Sequence, residues 1–255
     1  MNRKIELFMS IALLFCAVYL ARLGAIFVQK TTEAGRARYT KPLSTEEISS
    51  TEPSDTSLTF SNFCIVIDAG HGGADPGKVG INNILEKDIN LSVALLLAEK
   101  LENAGISIVL TRDSDIDLAN GASNFKSADM QNRCRFITEH TPIFTVSIHQ
   151  NSYPSENVSG AQVFYYTESA EGKALSTTLQ NSLIANLDPT NTRQPKANDN
   201  YYLLKKTPTP TVIVECGFLT NPIEASLLAT KEYQGKIVNA IYLGIIEYLE
   251  TNGYL

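Results

Sequence analysis

Histidine is scarce in this chain, with three copies among 255 residues, so the placement of two of them is informative. His71 and His149 each close a strongly apolar run, IVIDAGH (65–71) and IFTVSIH (143–149). Imidazole and carboxylate together suit zinc, and a catalytic zinc site uses three protein ligands while leaving a position open for water. Glu86 is the carboxylate that fits best as the third ligand. It opens a helical pattern just after a loop rich in glycine (Gly70, Gly72, Gly73, Gly77 and Gly80), and those glycines let the chain fold tightly enough for a helix start to meet a strand end. Two further carboxylates, Asp68 and Glu215, stand inside buried-type strands, FCIVIDAG and TVIVECGF. A buried unpaired charge is costly, so each needs compensation. A metal-bound water would supply it for Glu215, and Asp68 is expected to orient a metal-bound histidine. Taken singly, each residue also has a plainer explanation: Glu86 favours a helix N-terminus, and Asp68 can serve a turn. His140 falls at the end of an expected helix, where it complements the dipole, and is left out of the site.

The elements that must position these groups follow from periodicity. Short apolar runs predict strands at 63–70, 106–112, 143–151, 160–167 and 211–218. Helical spacing predicts helices over 86–103, with Leu91, Leu95 and Leu101 as inward candidates, and over 127–140. It predicts two more over 168–187, with Leu175, Leu179 and Leu183 inward, and over 231–251, with Ile237, Ile241 and Ile245 inward. Asn221-Pro222 is expected to cap a short helix. Strands alternating with helices imply a single α/β domain, a central, mostly parallel sheet covered by helices on both faces. In such sheets sites form beyond the carboxyl ends of the strands, where His71, His149 and Glu215 fall.

Arg3 and Lys4 precede an apolar run from Leu7 to Val28 that only Arg22 interrupts. It is long enough to span a bilayer and also has the features of a signal segment, so residues 1–28 are expected to anchor or export the chain. The stretch 29–61, which includes KPLSTEEISSTEPSDTS, is too polar to bury a core and is expected to be a flexible linker before a catalytic domain at 62–255. A net charge of −6 argues against a nucleic-acid partner. Cys64, Cys134 and Cys216 are isolated and odd in number, which fits neither a disulfide framework nor a cysteine metal site; they are expected to be buried thiols.

Four motifs, IVIDAGHGG, LEKDINL, VSIHQNS and VIVECGFLTN, together resemble the zinc-dependent N-acetylmuramoyl-L-alanine amidases of the type-3 family, in order and spacing, from 63 to 251. The resemblance implies that His71, Glu86 and His149 hold zinc and that Glu215 is the catalytic glutamate. Ala69 stands where proline is commoner in the family, and Gln150 where alanine or leucine is usual; neither removes a functional group. The segment 167–198 is too short for the site-blocking helix of some relatives. A short chain with one such domain is most similar to the sporulation-associated subfamily. That likeness implies action on spore-cortex peptidoglycan outside the cytoplasm on the way to muramic-δ-lactam, with a protein activator as a possible partner. A non-catalytic wall-binding protein and a zinc peptidase acting within the stem peptide are the alternatives. Tyr165, Tyr166, Tyr201 and Tyr202 are candidates for a glycan groove, although paired strand aromatics more often pack inside.

Overall fold

The computed structural model describes residues 61–255; the expected membrane segment, and the expected linker up to residue 60, lie outside the described residues. Runs rich in valine and isoleucine form the sheet. Its strands are Cys64–Ala69 (β1), Ser107–Leu110 (β2), Thr145–Asn151 (β3), Gln162–Tyr165 (β4), Lys196–Ala197 (β5) and Thr211–Phe218 (β6), in the order β2-β1-β3-β6-β4-β5. β1 pairs in parallel with β2 and β3, and β3 with β6; β4 runs antiparallel to β6 and parallel to β5. β5 has two residues, neither strongly apolar, and so leaves no periodic trace in the sequence.

The helices are Glu86–Glu102 (α1), Phe125–His140 (α2), Ala170–Asn186 (α3), Tyr202–Lys206 (α4), Pro222–Leu228 (α5) and Lys231–Thr251 (α6). Their starts are chemically marked. Asn221 accepts hydrogen bonds from the Ile223 and Glu224 N–H groups ahead of Pro222, Ser169 from Gly172 N–H, and Thr230 from Tyr233 N–H. α1, α3 and α6 cover one sheet face. Leu175, Leu179 and Leu183 join Ile237, Ile241 and Ile245 there, all fully buried. Leu101 is buried as expected, but Leu95 is 37% exposed; the inward stripe of α1 runs instead through Ile89, Val93, Leu97 and Leu101. Cys134 and Cys216 are buried as expected. Cys64 is only half-buried, its thiol near the His140 carbonyl.

Strand alternation divides the residues of the inner strands between the two faces. Ile65, Ile67 and Ala69, Val146 and Ile148, and Val212, Val214 and Cys216 enter the large core under α1, α3 and α6. The alternate positions face α2 and α4, and the apolar ones, Val66 and Ile213, join smaller clusters with Cys134, Ile137, Leu203 and Leu204. Asp68, Ser147, His149 and Glu215 belong to this second set. The parallel register places Asp68 beside Ser147 and His149 beside Glu215.

Candidate metal and active site

β1 ends in the loop that carries His71. His71 itself adopts a left-handed backbone conformation (φ 62°), a strained state for a residue with a side chain. Two buried guanidinium groups hold the loop in place. Arg112, just past β2, donates to the carbonyl oxygens of Ala69, Gly70, Lys87 and Ser114. Arg133, on α2, donates to those of Ala69 and His71. Arg112 thereby ties the His71 loop to the first turn of the helix that carries Glu86. Close approach also requires small residues. A Cβ on Gly70 would overlap the His149 ring, and one on Gly77 would stand 2.6 Å from both Glu86 Oε2 and the His71 ring.

Three expected ligands converge. Glu86 Oε1 lies 3.0 Å from His149 Nδ1 and 3.3 Å from His71 Nε2. One donor atom from each of the three residues falls within 4.8 Å of the others. Glu86 Oε1 also accepts from Gln150 N–H, and Glu86 Oε2 from Lys78 N–H at 2.7 Å. Burial works to raise the Glu86 pKa, but hydrogen bonds and charge from the two histidines hold it far below the ordinary carboxylate range. Burial would likewise lower His71; Glu86 and Asp75 override it and push its pKa up to about 9. Two imidazoles and a carboxylate, all buried or half-buried, fit a divalent metal such as zinc that is held by three protein ligands.

Glu215 stands in register with His149, 7% exposed, and its Oε2 is buried without a hydrogen-bond partner. Desolvation raises its pKa to about 7, with the histidines pulling down and Glu86 pushing up. Glu215, His71 and His149 line one cavity of about 290 Å³. Tyr201 and Tyr202 line it too, whereas Tyr165 packs on the large core and Tyr166 beside Phe164.

Asp68 requires a correction. It bonds no histidine; its oxygens accept from Thr111, Ser147 and Arg133, and these partners, working against desolvation, bring its pKa down to about 2. Its influence on His71 passes through Arg133. The carboxylate that orients the ring is Asp75, 2.8 Å from His71 Nδ1 and itself paired with Lys126. Sequence reading missed Asp75, Arg112 and Arg133. Asp75 carried a signal, a carboxylate four positions after His71 in a glycine-rich loop. Arg133 carried another, since Asp129, Arg133 and Ile137 recur at helical spacing on the buried side of α2. His140 bonds the Phe136 carbonyl at the end of α2, away from the site.

The sequence profile of the N-acetylmuramoyl-L-alanine amidase family matches residues 65–247. The germination-specific N-acetylmuramoyl-L-alanine amidase of Bacillus subtilis (strain 168) is 40% identical over 201 residues, covering 77% of this chain and 84% of that protein. Among solved structures, the CwlD amidase from Clostridioides difficile in complex with the GerS lipoprotein superposes with a TM-score of 0.72 at 40% identity, over 74% of this chain and 100% of that one. The amidase AmiC2 of Nostoc punctiforme gives 0.65 at 34% identity, over 75% and 99%.

Proposed function

The chain belongs to the N-acetylmuramoyl-L-alanine amidase family, and we propose that it is a zinc-dependent enzyme that hydrolyses the amide between N-acetylmuramic acid and the L-alanine of peptidoglycan stem peptides. The observation that carries the proposal is the orphaned, buried carboxylate of Glu215 beside the converging His71, Glu86 and His149. Those three residues would hold the ion, which when bound polarises a carbonyl and lowers the pKa of water to about 7.

This chain's own residues supply the rest. Glu215, with a pKa near neutrality, would take a proton from the attacking water at Oε2 and return it to the nitrogen of the leaving amine, as general base and then acid. Asp75 would fix the His71 tautomer by accepting from Nδ1, leaving Nε2 for the ion. Arg112 and Arg133 would keep the strained ligand loop from relaxing. The aromatic rings of Tyr201 and Tyr202 give the cavity a surface suited to a sugar face.

The biological setting is proposed from the relatives. The B. subtilis relative is germination-specific, which supports a role in spore-cortex maturation, with peptide removal preceding muramic-δ-lactam formation. The C. difficile neighbour is in complex with a lipoprotein, which supports a protein partner for this chain as well. Action on peptidoglycan would require the domain outside the cytoplasm, and the apolar run within residues 1–28 would anchor or export it. Mass spectrometry of digested peptidoglycan tests the bond assignment. Intact stem peptides and free muramoyl carboxyl groups are expected; shortened stem peptides would instead mean a peptidase.

A further inference from the structure

Gln150 stands where alanine or leucine is usual in the family, and the structure shows what the glutamine adds. Its side chain is buried and leaves β3 toward α1, where it meets the equally buried Asn90. Gln150 Nε2 donates to Asn90 Oδ1 at 3.1 Å. Asn90 Nδ2 donates in turn to the Gly70 carbonyl at 3.1 Å and to Glu86 Oε1 at 3.4 Å. Chemistry fixes the direction of this chain. A carbonyl and an ionised carboxylate can only accept, so Asn90 must turn its NH2 to them and its oxygen to Gln150. Gln150 must then present its own NH2.

The amide pair touches all three segments that carry the expected metal ligands. Gln150 follows His149 in β3, and its backbone N–H also donates to Glu86 Oε1. Gly70 precedes His71, and Asn90 lies one helical turn after Glu86. Arg112 also bridges the His71 loop and α1, but none of its bonds reaches β3. The arrangement carries a cost. With its NH2 committed to Asn90, Gln150 leaves Oε1 buried with no hydrogen-bond partner, beside the weak thiol donor of Cys216. An unpaired buried acceptor is unfavourable, and an apolar side chain of the same size would avoid it. What the glutamine supplies in exchange is the donor for Asn90.

We infer that Gln150 is a positioning residue for the metal centre: through Asn90 it holds β3, the His71 loop and the first turn of α1 in the relative placement that lets His71, Glu86 and His149 share one ion. The inference rests on the metal reading of the site and adds to it a side chain that touches neither ion nor substrate.

The full-length protein carrying Gln150→Met, which keeps the side-chain length and removes the donor, tests it by chelator competition for zinc, with cobalt(II), nickel(II) and manganese(II) titrated in parallel. Zinc affinity is expected to fall about tenfold, the lower end of the effect of losing a partner behind a ligand. Unfolding of the metal-free protein should change little, because the variant removes one orphaned acceptor at Gln150 and creates another at Asn90. The visible absorption of the cobalt(II) protein should shift, which a purely structural role would not cause. In an Asn90→Leu background Gln150→Met should cost no further affinity; Gln150→Leu, a second single variant, should repeat the tenfold loss and keeps the test open if Asn90→Leu does not fold. Zinc binding as tight in Gln150→Met as in the wild type overturns the proposal, as does a tenfold loss that persists undiminished in the Asn90→Leu background. If the wild type binds another of these ions but no zinc, and Gln150→Met weakens that ion about tenfold, the zinc reading fails and the positioning role stands. A wild type that binds none of the four ions overturns both.

Discussion

Asp68 and Glu215 are carboxylates on inner strands of one sheet, on the same face and at similar depth, yet their surroundings are opposite. Asp68 is 1% exposed and meets three side-chain donors. Glu215 is 7% exposed, and its buried oxygen meets none. Desolvation pushes both pKa values up; partners reverse the push for Asp68 and leave it in force for Glu215. A satisfied buried carboxylate holds structure, because its charge is already answered. An unsatisfied one beside converging metal ligands retains the capacity to accept a proton.

Removing the ligands should separate the two carboxylates most sharply. His71→Ala is expected to lose bound zinc and activity while keeping the fold, since Asp68 and Arg133 remain paired; elemental analysis showing a full zinc complement would remove His71 from the ligand set. Asp68→Asn should do the reverse. Leaving Arg133 short of a carboxylate in the interior should cost on the order of 3 kcal/mol, read by denaturant unfolding, with any loss of activity following the loss of fold. Asp75→Asn is expected to weaken zinc binding by about 10–100-fold in chelator competition, with a smaller effect on unfolding.

The pH dependence of the metal-free protein gives the smallest and most diagnostic effect. The folded-state pKa of Asp68 lies near 2, below its ordinary 3.8, so its contribution to stability is present above about pH 4 and fades as pH falls through 2. That of Glu215 lies near 7, above its ordinary 4.5. Its folded form then holds a proton the unfolded chain has released, so stability is full below 4.5 and lost as pH rises through 7. Glu215→Gln should therefore stabilise the metal-free protein above pH 7 and change little below 4.5. Asp68→Asn should destabilise it at neutral pH, with the gap closing near pH 2. Parallel unfolding curves for the two variants across pH would erase the distinction.

Much of this was readable in the sequence because apolar periodicity sets strands and helices, and because histidines at strand ends in an α/β order must gather at one edge of the sheet. His71, Glu86, His149 and Glu215 all meet there. Asp68 was misjudged because a strand position reveals burial but not partners; Arg133 reaches it from α2, 65 residues away in sequence. Arg112 was invisible for a similar reason, since four backbone carbonyls leave no mark on side-chain pattern. The antiparallel direction of β4 and the two-residue β5 were beyond reach because strand direction and edge pairing depend on connections that periodicity does not encode.

The most direct test is turnover of a purified muropeptide by Glu215→Gln, measured beside its zinc content. The account expects wild-type zinc and turnover reduced by about 10²–10⁴-fold, the usual weight of general acid–base catalysis. Near-wild-type turnover with zinc bound would contradict it and leave the unpartnered carboxylate without a role.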